Sequence, residues 1–374
     1  MESPYWRPCD ADGSNCHCDL RLELMDCAET YSASIVMKLQ IALSIAVTLG
    51  ATGILTFRLL FRGQKLVDYR GGRPQPQPIL SMYILGITFN LLRMLHAIFL
   101  LTEVVQSKIV RSFLFDLSWQ FGFGTFAAYL IGIASAVFDS NTVVTRGWKF
   151  SQSLVTKIGV AFLVLPVFTN NCCSVLIGYF AEKNNPQLAD IFTRLLYTFW
   201  SCYCFALSSC VLYAGFGLIR LLDSHLRAVI DGRQYDVFKT GRVKVRIIMT
   251  VTVLCLMAFF LLLVVYMACK PIIQASVPFN IIICIIWNFA GPIATFFIEI
   301  TFLLDPKMLK GPTFSATGST FGQRSDETTI EIRGSLIDAN KLPGAQYLQR
   351  GHELKVYNQS QSSMSSDVKQ LMYQ

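Results

Sequence analysis

Five polar side chains capable of ion pairing or ligand binding lie inside long apolar stretches of the sequence. Ionisable groups in hydrocarbon usually face the interior of a helix bundle and pair with another group. A rise of 1.5 Å per residue places Arg93 about 22 Å along a helix that starts at Pro78, at a depth similar to that of Asp116. The spacing predicts an Arg93–Asp116 pair in a cluster formed by Asn90, Arg93, His96, Asp116 and Gln120.

Two interpretations of this cluster stay open at the level of sequence. Asn90 and His96 lie one helical turn on either side of Arg93, on the same face. The cluster is then either the floor of a ligand pocket, with Gln120 and Asn170 or Asn171 nearby, or a structural ion pair that locks two helices together. Helix-breaking Pro166 and Pro292 fall within later apolar stretches, where we expect kinks.

Residues required for several kinds of membrane chemistry are missing from the sequence. The last apolar stretch contains no lysine that could form a retinal Schiff base. Of the histidines His17, His96, His225 and His352, only His96 falls in an apolar stretch, so a histidine-rich metal centre is not expected. We therefore predict neither an enzyme nor a bound cofactor or metal. The sequence motifs of rhodopsin-like receptors are missing as well.

The elements that must position the polar cluster are seven apolar stretches, each long enough to cross a bilayer as a helix. Hydrophobic residues make up 53% of the chain and charged residues 15%, which excludes a soluble globular protein. The sequence predicts an all-α fold, a seven-transmembrane helix bundle. Its spans are Leu39–Phe61, Pro78–Thr102, Ser112–Phe138, Ser153–Phe180, Ile191–Gly217, Val245–Met267 and Val277–Leu304.

The distribution of basic residues predicts which way the bundle faces. When successive connections are assigned to alternate sides, one side receives 17 lysines and arginines and the other receives 8. The basic side is expected to be cytoplasmic, with the N-terminus outside and the C-terminus in the cytoplasm. The net charge of +8 follows from this asymmetry, so nucleic acid is not needed to explain it. We see no N-terminal signal peptide.

Three segments differ in composition: residues 1–33, 34–305 and 306–374. The first carries Cys9, Cys16, Cys18 and Cys27, which predict two disulfides with three possible connectivities; free thiols and a metal knuckle formed with His17 are the alternatives. The middle segment is the bundle. The last is rich in serine and threonine and is predicted to be a disordered tail open to phosphorylation.

Three short segments resemble the plant tobamovirus-multiplication-protein family, which carries the THH domain, and its orphan seven-span relatives in animals. They are Phe89-Asn-Leu-Leu-Arg93-Met, Phe115-Asp-Leu-Ser118 and Val211-Leu-Tyr-Ala-Gly-Phe-Gly-Leu-Ile-Arg220-Leu. The resemblance implies seven spans and the role of a scaffold or receptor-like protein in internal membranes. The cysteine-bearing N-terminus and the long tail depart from the family and favour the plasma membrane.

We therefore predict a receptor-like seven-helix protein that passes a signal from a small ligand to a cytoplasmic partner, such as a G protein. The coupling region would be the third inner loop and its flanks, with Arg220, Arg227, Arg233, Lys239, Arg242, Lys244 and Arg246. The alternative is a scaffold that recruits partners through its loops and tail. A small-solute transporter is a third hypothesis, against which the odd number of spans argues.

Overall fold

Seven helices that are long and apolar enough to cross a membrane make up most of the described chain. The computed structural model describes residues 7, 9, 16–61, 63–70, 73–139, 152–228 and 233–303. In lipid, only helices and closed barrels satisfy every backbone hydrogen bond, which accounts for the architecture. The helices are α1 Thr30–Thr56, α2 Pro78–Thr102, α3 Lys108–Asp139, α4 Gln152–Glu182, α5 Pro186–Ala228, α6 Arg233–Gln274 and α7 Val277–Leu303.

The seven predicted spans are confirmed, and one of them has its predicted boundaries. Helix α2 begins at Pro78, where the fixed φ of proline suits the first helical position. It ends before Glu103, which adopts a left-handed conformation with φ of 53°. Helices α5 and α6 extend well beyond the apolar stretches that predicted them. Helix α1 starts at Thr30 and continues as a π-helical turn over Phe57–Phe61.

The proline-containing segment before α2 forms a short antiparallel hairpin. Its strands are β1 Val67–Arg70 and β2 Arg73–Pro76, and Tyr69 pairs with Pro74. Prolines suit such an edge position because they do not donate a backbone hydrogen bond. The hairpin is an addition to the all-α description, and every candidate membrane span in the described residues is helical.

The helices form a closed ring in which sequence neighbours pack side by side and α1 packs against α7. Helix α3 also contacts α5, and α2 also contacts α7. In α3, 67% of the membrane-spanning window is buried, the largest share of any span, so α3 lies at the centre of the bundle. Pro166 and Pro292 both lie inside helices, which continue through them.

Large apolar side chains cover the outside of the ring. Leu49, Phe168, Leu254 and Ile272 are each more than 60% exposed. A surface of this kind is stable only against lipid, so the chain is an integral multi-pass membrane protein. The Ser/Thr-rich tail predicted at 306–374 lies outside the described residues.

Close packing of α3 and α4 gives a test of the fold at Gly178. A Cβ atom there would lie 2.4 Å from the backbone Cα of Ile109, whereas a Cβ at Gly53 in α1 would meet nothing within 4 Å. Alanine in a helix is otherwise better than glycine by about 0.5–1 kcal/mol. We expect Gly178→Ala to destabilise the protein by about 1–3 kcal/mol because α3 and α4 must separate. We expect Gly53→Ala to be neutral or stabilising. Thermal unfolding in detergent measures both, and equal behaviour of the two variants would contradict the packing.

Candidate functional site

The chain segment before α1 is inserted into one end of the helix bundle. We call residues 16–29 the plug, and the end where α2 ends and α3 begins the plug end. Leu22 and Leu24 of the plug are 0% exposed, and Leu20 is 6% exposed. These leucines belong to a sealed apolar contact rather than to a surface loop. The plug cluster contains Cys18, Leu20, Leu24, Ala33, Val36, Met37, Ala97, Leu100 and Cys284.

Two disulfides close loops in and next to the plug. Cys9 is bonded to Cys16, and Cys18 to Cys27. The disulfide prediction is therefore confirmed, and one of the three connectivities is selected. With the four thiols paired, they are not available as a metal knuckle. Among the described residues, no group of three or more His, Cys, Asp or Glu side chains is arranged to hold a metal ion.

Arg21 of the plug is buried among aromatic side chains. Its Nε and Nη2 donate to the Asp19 carboxylate at 2.8 and 2.5 Å, a two-point geometry that strengthens the pair. Its guanidinium lies 5.3 Å from the centre of the Tyr197 ring in α5. Burial alone would raise the pKa of Asp19, but the charge and hydrogen bonds of Arg21 lower it below its ordinary value. The pair enters the bundle as an internally neutral unit.

A second group of charges fixes the plug to the start of α3. Glu23 accepts hydrogen bonds from Lys108 and, at 3.2 Å, from Arg111 Nη1. Burial would raise the pKa of Glu23, but these two cations lower it from its ordinary value of 4.5. The Glu23 carboxylate of the plug is therefore the counter-ion of Lys108 and Arg111.

Polar side chains from three helices bind backbone carbonyls of the plug. Arg111 Nη1 in α3 donates to Leu22 O at 2.8 Å, and His96 Nε2 in α2 donates to Arg21 O at 3.1 Å. Asn280 Nδ2 in α7 donates to Cys18 O at 3.0 Å. Sequence reasoning placed His96 beside Arg93, in a cluster that was either the floor of a ligand pocket or a structural ion pair. In the structure its ring instead holds the plug.

Arg93 lies one layer deeper, where its partners are an amide and two aromatic rings. Its Nη2 donates to Asn288 Oδ1 in α7 at 2.6 Å. Its guanidinium lies 4.8 Å from the centre of the Phe115 ring and 5.4 Å from that of Trp119. We call Arg93, Phe115, Trp119 and Asn288 the arginine layer. Cation–π contacts of this kind offset part of the cost of burying a charge in a dry site.

Within the described part of the chain, no hydrogen bond or salt bridge joins Arg93 to Asp116, although the two charges are close enough to interact. Arg93 is directed toward α7, whereas the Asp116 carboxylate accepts a hydrogen bond from Trp200 Nε1 in α5 at 3.4 Å. The prediction of similar depth does not determine the direction in which a side chain points around its helix axis. The two residues lie in the same buried region and bind different neighbours.

Asn90 and Gln120 each bridge a different pair of helices. Asn90 Nδ2 donates to Gly86 O at 2.9 Å and to Thr295 Oγ1 at 3.3 Å, which links α2 to α7. Gln120 Nε2 donates to Asn171 Oδ1 at 2.6 Å, which links α3 to α4. The five predicted residues are thus divided among the plug contact, the arginine layer, two interhelical bridges and, for Asp116, the contact with Trp200. They do not form one pocket floor.

An apolar cavity that sequence reasoning missed lies on the side of the arginine layer away from the plug. It lies between α2, α3, α5, α6 and α7, and the space around its wall atoms amounts to about 630 Å³, part of which is open at its mouth. Part of its wall is closely packed: a Cβ at Gly291 would lie 2.1 Å from the ring of Phe89, so glycine is needed for this approach. The lining residues are Gly86, Phe89, Trp119, Gly122, Phe123, Thr125, Phe126, Trp200, Cys204, Cys255, Leu256, Phe259, Ala290, Gly291, Ala294, Thr295 and Ile298.

Several cations of the predicted coupling region lie at the opposite end of the bundle. Helix α5 continues to Ala228 and α6 begins at Arg233, so most of the predicted third inner loop is helical. Arg220, Lys239 and Arg246 are exposed, and Arg242 Nε pairs with Asp223 Oδ1 at 3.0 Å. Lys244 is half-buried. The side chains of Arg227 and Arg233 lie outside the described set.

Comparison with known proteins adds no family to this geometry. No protein-family model matches the chain, and no curated protein or solved structure matches it significantly. The class that the fold defines is therefore that of a seven-span membrane protein. The cavity, the arginine layer and the plug are its distinctive structural features.

The contacts of the plug predict an acid-sensitive stability. Because the pKa of Glu23 is lowered in the folded protein, its stabilising effect is present above the unfolded pKa and is lost as the pH falls below about 4. We expect Glu23→Gln to lose about 1–3 kcal/mol at neutral pH and to show a weaker acid dependence than the parent protein. Unfolding followed from pH 7 to pH 3 measures this. Glu103→Gln, at an exposed residue of the plug end, is the matched control. An unchanged acid profile in Glu23→Gln would contradict the assignment.

The arginine layer predicts which residue is energetically coupled to Arg93. We expect a double-mutant cycle with Arg93→Leu and Asn288→Leu to give a coupling energy of about 0.5–3 kcal/mol, because the two side chains share a hydrogen bond. A second cycle with Arg93→Leu and Asp116→Asn should give a smaller value. Unfolding free energies in detergent provide both cycles. Stronger coupling of Arg93 to Asp116 than to Asn288 would restore the original ion-pair hypothesis.

Proposed function

We propose that the chain is a receptor-like seven-transmembrane protein that passes a ligand signal through its bundle to a cytoplasmic partner, such as a G protein. The observation that carries this proposal is the central cavity, which contacts five helices and lies directly beneath the arginine layer. A ligand there would contact α5 and α6, the two helices that continue into the proposed coupling region. Different affinities of the ligand for two bundle states would drive the change.

We place the plug outside the cell and the tail in the cytoplasm, with the plasma membrane as the location. The excess of lysine and arginine at the end opposite the plug supports this orientation. The two disulfides support it independently, because disulfides persist in oxidising compartments. The likeness of α2, α3 and α5 segments to the THH-domain family is part of the proposal, and it agrees with a seven-span plan.

The contacts on either side of the cavity suggest how the ends of the bundle are connected. The Trp119 ring lies 5.4 Å from the guanidinium of Arg93 and 4.5 Å from the ring of Phe259 in α6. On α7, Asn288 binds Arg93, and Thr295 accepts from Asn90 two turns farther from the plug. A displacement of Trp119 therefore affects both α6 and the arginine layer.

The exposed cations provide the test of coupling. We expect the triple variant Arg220→Gln, Lys239→Gln and Arg246→Gln to lower the stimulation of guanine-nucleotide exchange on purified G proteins by about tenfold, because surface charges steer partner association. Deleting the whole region would be less informative, since Leu221 and Leu222 are buried in the core. The matched control replaces the exposed Lys38 and Lys183 at the plug end. An equal loss in both variants, or no loss in the triple variant, would reject the proposed coupling surface.

A further inference from the structure

We propose that the central cavity binds a neutral, largely apolar small molecule that carries one oxygen, such as an alcohol or ketone of isoprenoid or medium-chain lipid type. This inference deepens the receptor proposal: the signalling role of the ligand rests on that proposal, whereas binding does not. Four features of the cavity support it, namely its size, its lining, its hydrogen-bonding groups and its closure at the plug end.

The size of the cavity suits a small organic molecule. The space in which a water-sized group can be centred is about 70 Å³, several times the roughly 10–15 Å³ that one water molecule needs. The surrounding protein is otherwise packed closely enough that a Cβ added at Gly122 would lie 2.9 Å from the ring of Phe89. An open volume of this size within such close packing is a feature that a ligand would fill.

The lining determines the charge of the ligand. Every residue of the wall is described, and none of them carries a charged side chain. Phe89, Trp119, Trp200 and Phe259 supply aromatic surface, which favours contact with hydrocarbon. Two charged groups lie behind the wall, Arg93 behind Trp119 and Asp116 behind Trp200, and they already have partners in Asn288 and in the Trp200 indole. An ionised ligand would lose its hydration without gaining a counter-ion, so a neutral ligand is favoured.

The hydrogen-bonding groups around the cavity determine how much polarity the ligand can carry. Thr125 Oγ1 donates to Phe121 O at 3.1 Å, and Thr295 Oγ1 donates to Gly291 O at 3.0 Å. Both hydroxyl protons are thus used within their own helices, and Thr295 Oγ1 also accepts from Asn90. Thr125 retains acceptor capacity, and the buried indole N–H of Trp119 has no hydrogen-bond partner within the described residues. One ligand oxygen could therefore pair with the Trp119 N–H or with Thr125.

Closure of the plug end favours a ligand that is soluble in the bilayer. The plug and the arginine layer fill the bundle between the cavity and that end. An apolar molecule concentrates in the hydrocarbon around the helices and does not need an aqueous path. The same closure excludes a large or strongly hydrated ligand from that direction.

Competitive photolabelling of the full-length protein in lipid nanodiscs tests the proposal. The probe is a medium-chain primary alcohol that carries a diazirine, and the competitors are the unlabelled alcohol and the carboxylic acid of the same chain length. We expect saturable labelling of peptides from α3, α6 and α7. We expect the alcohol to compete at least about tenfold better than the acid, because the acid would bury a charge.

Two neighbouring residues of α7 give matched variants for this experiment. Ala294 lines the cavity and is 7% exposed, whereas Ile293 is 45% exposed toward lipid. We expect Ala294→Phe to fill the cavity and abolish competed labelling, and Ile293→Phe to retain it. If Ala294→Phe fails to fold in a thermal unfolding assay, Phe259→Ala replaces it: this variant enlarges the cavity and should improve competition by a bulkier neutral alcohol.

The outcomes separate binding from signalling. The proposed site would be overturned if the acid competed as well as the alcohol. It would also be overturned if labelling persisted in Ala294→Phe or was lost equally in Ile293→Phe. The same holds if Phe259→Ala did not change the response to ligand size. The triple variant of Arg220, Lys239 and Arg246 should be labelled like the parent protein. Intact labelling of a parent protein that stimulates no nucleotide exchange would reject the receptor proposal and leave the binding site in place.

Discussion

Hydrocarbon offers no hydrogen bonds, so the polar groups that this bundle carries into the membrane depend on partners within the protein. The largest fully buried side chains in the described chain include three arginines, Arg58, Arg93 and Arg111. Arg111 binds the plug, and Arg93 binds an amide and two rings. The guanidinium of Arg58 lies 6.0 Å from the centre of the Tyr83 ring. The placement of these cations organises the bundle into layers along its axis.

The plug is therefore part of the bundle rather than an appendage to it. It supplies the carbonyls that Arg111, His96 and Asn280 bind, and the carboxylate that balances Lys108 and Arg111. Without it, these side chains would be left at the mouth of the bundle without those partners, at a cost of about 1–3 kcal/mol for each unsatisfied group. A segment as short as residues 16–29 cannot build a core of its own. It acquires one by inserting Leu20, Leu22 and Leu24 between helices.

The sequence predicted the spans well because hydrophobic length and proline position act locally. Helix α2 has its predicted limits for this reason, from Pro78 to Thr102. Residue depth also follows from the sequence, whereas direction around the helix axis depends on which neighbours pack where. That is why Arg93 and Asp116 lie in one buried region and still bind different partners. The plug escaped prediction because alternating leucines and charges in a cysteine-bearing segment resemble an exposed arm. The cavity is formed by several helices at once, so no single stretch of sequence predicts it. The only related signal is the glycines and alanines of α3 and α7, which allow helices to pack closely in that region.

The arginine layer lies between the plug contact and the cavity. On one side, His96 is one helical turn from Arg93 and binds the plug; on the other, Trp119 contacts Arg93 and lines the cavity. Under the proposed function, a ligand that moves Trp119 changes the surroundings of Arg93 and thereby the stability of the plug contact. Coupling of this kind is reciprocal, because a shift in ligand affinity caused by the plug equals the shift in plug affinity caused by the ligand. The plug would then set the affinity of the cavity without contacting the ligand.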